Sequence, residues 1–285
     1  MPTDTNGLAG HFRSLHADLL VLPNVWDVAT ARIVVAAGAA AVATTSAGVA
    51  WSLGAPDGNR LDRDRAIELV ARIVDAVGRP GSDRGVPVTA DIEGGYAADA
   101  RGVAETIRAV VAAGAVGVNL EDADHTGDDH TGIGADPLLP VTEQCERIAA
   151  AREAAGPDLF VNARVDTYLR AVGDPATRLD ATLERADAYL EAGADGIFVP
   201  GVTDPEVVAA LAAGIPAPLN VLAGPGAPDV ATLANAGAKR VSLGSSLAQS
   251  AYGLVLRAAR EVLTTGTYTG FGEPLAYPEL NAMFE

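Results

Sequence analysis

Ala113-Gly114-Ala115-Val116-Gly117-Val118-Asn119-Leu120-Glu121 opens with a phrase that the chain uses four times. Ala37-Gly38-Ala39, Ala192-Gly193-Ala194 and Ala236-Gly237-Ala238 are the other copies, and each ends a helical pattern and begins a β-rich run. Glycine suits the left-handed position just past a helix C-terminus, after which the chain enters a strand. Four copies of one helix-to-strand joint predict repeated β/α units. Apolar, β-branched runs supply eight candidate strands: Leu19–Val25, Ala40–Thr45, Val86–Ala90, Gly117–Leu120, Leu159–Ala163, Gly196–Val199, Pro218–Leu222 and Arg240–Leu243. Helical patterns fill the gaps, at Arg63–Val77, Ala98–Ala113, Val141–Ala155, Thr177–Ala192 and Asp204–Ala213. Eight strands alternating with helices predict an α/β fold of the (β/α)8 TIM-barrel type. A doubly wound sheet needs a glycine-rich phosphate turn after its first strand, and here that place reads Pro23-Asn24-Val25-Trp26-Asp27. With no linker or low-complexity block in view, one barrel domain over 1–285 is expected.

The bulk composition narrows the partners. Hydrophobic residues make up 49% of the 285 residues and aromatics 5%, which suits small-residue helix packing around a barrel better than an all-β fold. A net charge of -17 argues against nucleic acid, whose phosphates are repelled. Cys145 is the single cysteine, so no intrachain disulfide framework is possible. No apolar run reaches the roughly 18 residues that suggest a membrane span. Met1 to Gly10 lacks a signal-peptide pattern, and a cytoplasmic protein is the expectation.

Barrel enzymes keep their active sites at the C-terminal ends of the strands. The polar residues expected there are Thr44, Thr45 and Ser46; Asp91 and Glu93; Glu121 and Asp122; Asn162, Arg164 and Asp166; Asn220; and Ser242, Ser245 and Ser246. In Thr89-Ala90-Asp91-Ile92-Glu93-Gly94-Gly95-Tyr96 an apolar strand ends on two acids two positions apart. Strand alternation puts both on one side, where like charges call for a cation or proton between them. Glu121, ending the next strand, extends the acid set. Together these residues predict a small oxygen-lined metal site. Taken singly, each polar strand end could equally cap a helix or satisfy a loop.

The chain resembles the isocitrate lyase/phosphoenolpyruvate mutase superfamily. The matching stretches are Pro23-Asn24-Val25-Trp26-Asp27, Thr44-Thr45-Ser46-Ala47, Leu53-Gly54-Ala55-Pro56-Asp57-Gly58, Asp91-Ile92-Glu93-Gly94-Gly95-Tyr96, Gly114 to Asp122 and Asn162-Ala163-Arg164-Val165-Asp166. The resemblance implies that Asp91 ligates Mg2+ directly, with Mn2+ as the alternative ion, and that Glu93 and Glu121 hold metal-bound waters. It implies that Thr45, Ser46 and Ala47 receive the substrate's carboxylate or oxo group, and that Arg164 binds the substrate. Trp26 and Asn220 complete the expected substrate-contacting set. Asp57 falls in the family's gating loop, here between Trp51 and Arg60. The shared chemistry places enolate charge on the oxo oxygen of a 2-oxo acid as a bond at C3 breaks. Family members are commonly tetramers that exchange the last barrel helix, and the stretch from about 247 to 285 suits such contacts.

Two departures bear on the subclass. Lyases of the family carry a Lys-Lys/Arg-Cys-Gly-His loop. Here Asp122 to Gly134 has neither lysine nor cysteine, and Cys145 falls in the following helical pattern as a packed thiol. Pro200 stands where the lyases have glutamate and the phosphonate enzymes histidine, and proline transfers no proton. His125 and His130 could supply the missing acid/base group, with His130 taken, beside Arg164 and Asp57, as a catalytic candidate. A solvated acidic loop is the plainer reading, and a second metal site with Asp128 and Asp129 a further one. His11 and His16 carry no signal, and Lys239 and Arg240 sit at the wrong end of their strand. The expected activity is that of an Mg2+-dependent carbon–carbon lyase on a small anionic 2-oxo acid, specifically oxaloacetate decarboxylation. A phosphonopyruvate-type P–C hydrolase or mutase, or a non-catalytic 2-oxo acid binder, are the alternatives.

Overall fold

A computed structural model describes residues 5–78, 85–125 and 138–285. Nine parallel strands form one sheet: β1 (Leu20–Leu22), β2 (Asn24–Val25), β3 (Val42–Thr44), β4 (Val88–Asp91), β5 (Gly117–Glu121), β6 (Phe160–Arg164), β7 (Gly196–Val199), β8 (Leu219–Leu222) and β9 (Arg240–Ser242). Their order runs β1-β9-β8-β7-β6-β5-β4-β3-β2. β1 and β2 are two halves of the expected first strand, split at Pro23. Proline has no N–H for a ladder. The first half pairs with β9 and the second with β3, so the split strand closes an eight-stranded barrel. Asn24 stitches the seam: its Nδ2 donates to the Thr44 carbonyl at 2.9 Å, and its Oδ1 accepts from the Leu243 and Gly244 amides, each at 2.8 Å.

The helices are α1 (Thr5–Ser14), α2 (Val28–Ala36), α3 (Ser46–Ser52), α4 (Arg63–Val77), α5 (Ala100–Ala112), α6 (Val141–Ala155), α7 (Arg178–Glu191), α8 (Pro205–Gly214), α9 (Val230–Asn235), α10 (Ser246–Thr265) and α11 (Tyr277–Ala282). In α4, Ala66, Leu69, Val70, Ile73, Ala76 and Val77 are buried, a three-and-four spacing that lays one apolar face on the sheet. Aspartates cap several helices. Asp27, Asp62, Asp99, Asp204 and Asp229 each accept first-turn amides, so part of the acidity is structural. The joint glycines Gly38, Gly114, Gly193 and Gly237 all have left-handed φ, between 90° and 112°.

α1 plugs the N-terminal floor of the barrel. Phe12 meets Phe160 edge-on at 5.6 Å, and the His16 ring stacks on Phe160 at 4.3 Å. Burial and then the Arg240 charge hold the His16 pKa down at about 4, so this histidine is a neutral packing group. A Cβ on Gly117 would lie 2.8 Å from Thr89 Oγ1 and 2.9 Å from Phe12, so only glycine fits there. Arg240, expected to be structural and not part of the site, is fully buried inside the barrel and donates to Asn119 Oδ1 at 3.2 Å. At the C-terminus, Arg32 donates to the Met283 carbonyl at 2.8 Å and lies over the Phe284 ring. Leu254, Val255, Leu256 and Leu263 of α10 stay exposed. Among the described residues no helix is long and apolar enough to cross a membrane.

Candidate active site

The C-terminal ends of β3 to β6 bring four acids and one arginine to one mouth. Asp91 ends β4, and its amide donates to Thr44 Oγ1 at 2.8 Å, tying it to β3. The Ser46 amide at the start of α3 donates to Asp91 Oδ2 at 3.3 Å. Part of the Asp91 surface is open, yet its carboxyl is enclosed. Burial lifts its pKa to about 6, with Arg164 opposing and Glu121 and Asp57 reinforcing. Glu93 is 2% exposed, and burial followed by repulsion from Glu121 pushes its pKa to about 8. Strand alternation does not place it, contrary to the expectation. β4 has ended, and Glu93 turns inward through a left-handed φ of 51°.

Glu121 ends β5 and is 4% exposed. Burial opposes its charge, but the Arg164 guanidinium and His125 override that and hold its carboxyl well below the usual range. His125 Nε2 lies 2.6 Å from Glu121 Oε1. The solvated-loop reading therefore fails for His125. His130, Asp128 and Asp129 lie outside the described residues.

Arg164 ends β6. Asp166, fully buried, grips it at two points, Nε to Oδ1 at 2.6 Å and Nη2 to Oδ2 at 2.8 Å. The Asp166 amide donates to Asp122 Oδ1 at 2.9 Å, while Asp122 Oδ2 accepts from Tyr189 OH at 2.8 Å and Arg185 Nη1 at 3.0 Å. A bidentate carboxylate fixes the plane of a guanidinium, so α7 sets the attitude of Arg164 through two aspartates.

The segment expected to gate the site reaches the acids. The Asn59 amide donates to Glu93 Oε2 in a short hydrogen bond. Asp57 keeps an exposed surface, but its carboxyl hydrogen-bonds Ser46 near Glu121 and Arg164. Burial of that end and then Glu121 raise its pKa. Thr45 is the cap residue of α3, and Ala47 lies buried in its first turn. Trp26 follows β2, but its ring packs in an apolar cluster, 6.1 Å from Tyr252 of α10. Asn220 is not at the mouth. It lies inside the barrel, accepting from Asn162 Nδ2 and donating to Ser242 Oγ at 3.0 Å, so its amide is spent on the interior. Cys145 packs toward α7, with Sγ 3.5 Å from the Ala188 carbonyl.

The opposite half of the mouth differs in kind. Pro200 is buried at the end of β7. The loops 200–204, 223–229 and 243–245 contain no lysine, arginine or histidine. Their two acids, Asp204 and Asp229, are used as helix caps.

A divalent ion fits the acid half. Among the described residues Glu93 Oε1 is buried without a hydrogen-bond partner, and burial followed by one another's charge raises the Asp57, Asp91 and Glu93 carboxyls. Among the described residues no three of His, Cys, Asp and Glu come together to enclose an ion by direct ligation. Magnesium, the ion the family resemblance implies, keeps several waters and needs few protein oxygens.

The phosphoenolpyruvate phosphomutase family model matches residues 12–263. The chain belongs to the phosphoenolpyruvate phosphomutase family. Within the wider isocitrate lyase/phosphoenolpyruvate mutase superfamily, it is 38% identical over 79% of its length to an uncharacterised Mycobacterium tuberculosis protein, covering 77% of that protein. It is 31% identical to the 2-methylisocitrate lyase of Bacillus subtilis, over 74% of this chain and 66% of the lyase. The oxaloacetate decarboxylase of Rhodopseudomonas palustris is 32% identical over 58% of this chain and 54% of that enzyme. A crystal structure of a Burkholderia cenocepacia protein, described only as lyase or mutase, superposes with a TM-score of 0.85 at 39% identity, covering 98% of this chain and 96% of that one. The chain is thus an enzyme of this superfamily.

Sequence reasoning missed Asn59, Arg147 and Tyr189. The signal for Arg147 was present: Gln144, Arg147, Ile148 and Ala151 are the buried positions of α6, and a charged residue at core spacing calls for a buried partner.

Proposed function

We propose that the protein is an Mg2+-dependent lyase that decarboxylates oxaloacetate or a closely related 2-oxo acid. The observation that carries this is the division of the mouth. Acids and Arg164 occupy the β4–β6 side, and no cation lies in the loops after β7, β8 and β9. Asp91, with Glu93 and Glu121 through water, would hold the ion. When bound, Mg2+ supplies Lewis-acid polarisation of the substrate's oxo group. Arg164, held flat by Asp166, fits the carboxylate next to the oxo carbon. The Ser46 amide is engaged by Asp91, which leaves the Ala47 amide at the start of α3 to serve as donor at the same end of the substrate. A dianionic phosphonate needs a counter-charge that the far wall lacks. A carboxylate leaving as CO2 loses its charge, so an uncharged wall favours its departure. Pro200 is no obstacle, because CO2 leaves without a base and the enolate left behind can take its C3 proton from water.

The test is pyruvate release from oxaloacetate, phosphonopyruvate, methylisocitrate and dimethylmalate with Mg2+, against enzyme-free controls. Oxaloacetate turnover that Asp91→Ala abolishes is the expected result. Turnover of phosphonopyruvate alone, or activity surviving in Asp91→Ala, refutes the reading. The exposed apolar residues of α10 support a homo-oligomer, a tetramer by family habit.

A further inference from the structure

We infer that Arg147 of α6 is a positioning residue for the metal site, acting through the backbone of residues 94–98 on Glu93. The inference rests on the metal-site reading above. Its basis is the conformation of the segment that follows β4. Glu93 and Tyr96 both have left-handed φ, 51° and 52°, with Gly95 at 88° between them. Residues bearing a Cβ disfavour that region and hold it only where surroundings impose it. Locally the Glu93 amide donates to Asp91 Oδ1 at 3.3 Å and the Gly95 amide to the Ile92 carbonyl at 2.8 Å, but Gly94 and Gly95 leave the rest of the path open.

The imposing contacts come from two neighbouring helices. Arg147 Nη1 donates to the Gly94 carbonyl at 2.9 Å and the Ala97 carbonyl at 3.2 Å, and Nη2 donates to the Ala98 carbonyl at 2.8 Å. Thr106 Oγ1 of α5 donates to the Gly95 carbonyl at 2.8 Å. Four of the five carbonyls from Gly94 to Ala98 are therefore held from outside the segment. Glu143, one turn earlier in α6, neutralises the guanidinium at 3.2 Å. Arg147 is 5% exposed, so its charge is committed to these partners. The segment is also closed sterically. A Cβ on Gly94 would come 3.2 Å from Asn59 Nδ2 and 3.3 Å from the His125 ring, and one on Gly95 would come 2.8 Å from Val103. The planar fork is essential, since an ammonium cannot bridge three carbonyls in fixed directions. Held this way, Glu93 faces Asp91 and Glu121; released, its carboxylate keeps only the Asn59 amide to aim it.

The experiment is Mn2+ titration by electron paramagnetic resonance on the metal-stripped full chain. The variants are Arg147→Met, Arg147→Lys, Glu93→Gln and the pair Arg147→Met with Glu93→Gln. Loss of an outer support typically weakens metal binding by about 10- to 100-fold. Arg147→Met should therefore bind Mn2+ at least about tenfold more weakly, with Arg147→Lys recovering part. In the Glu93→Gln background the same change should cost less than about twofold, because additivity fails for coupled residues. An equal loss in both backgrounds, or unchanged affinity in folded Arg147→Met, overturns the inference. If Arg147→Met does not fold, Thr106→Val replaces it in the same cycle. Wild type that binds no Mn2+ sinks the metal-site reading itself, whereas wild type that binds while the variants match it sinks only the role of Arg147.

Discussion

Glu93→Gln should stabilise the metal-free protein, and the gain should depend on pH. Burial and the Glu121 charge raise the Glu93 pKa from 4.5 to about 8. Between those values the native state holds a proton that the unfolded chain releases. Stability therefore falls as pH rises from about 4.5 to about 8. At about 1.4 kcal/mol per unit, ionisable Glu93 costs at most about 3 kcal/mol at pH 7 and about 5 kcal/mol at pH 9. Glutamine cannot ionise, and its carbonyl can still accept the Asn59 amide. Thermal melts in EDTA at pH 5, 7 and 9 should show the variant melting higher at pH 7, by roughly 5 °C at about 2 °C per kcal/mol. The gap should widen at pH 9 and nearly close at pH 5. With saturating Mg2+ the order should reverse, because the wild type gains more from the ion. A variant that melts lower at every pH, or a gap independent of pH, refutes the account of crowded acids awaiting a cation.

Three further outcomes follow from the geometry. Asp166→Asn keeps the shape but loses the charge that grips Arg164, so KM for the 2-oxo acid should rise roughly 10- to 100-fold with a smaller change in kcat, read from steady-state kinetics. Gly95→Ala forces a methyl to 2.8 Å from Val103 at a left-handed φ of 88°, and chemical denaturation should show a loss of about 1–3 kcal/mol. Val255→Glu and Leu263→Glu together should shift the mass seen by light scattering toward the monomer; an unchanged mass excludes α10 as the contact.

The fold was legible because its punctuation is chemical. The four Ala-Gly-Ala joints place glycine where the chain must turn left-handed, and Arg63–Val77 and Val141–Ala155 begin and end where their caps and spacing put them. The split at Pro23 was missed, with Leu19–Val25 read as one strand although a proline cannot serve a central ladder, and which neighbour each half joins is decided by closure of the barrel. The convergence of Asp91, Glu121 and Arg164 at one mouth followed from strand-end position alone. Glu93 arrived there by another route, a left-handed turn imposed by Arg147 from 53 residues away, and alternation cannot reveal that. Asn220 failed as a mouth residue because an amide at a strand's second position faces other strands first. Such side-chain pairings depend on register across the sheet and leave no local trace.

The plugged floor has a consequence for traffic. Phe12 and His16 seal the N-terminal end of the barrel against Phe160, so among the described residues the way to the acids is from the C-terminal mouth. Asn59 stands in it, bonded to Glu93. Substrate and product must pass the same threshold in opposite directions. If the segment bearing Asn59 gates the site, release of product requires the Asn59 amide to let go of Glu93.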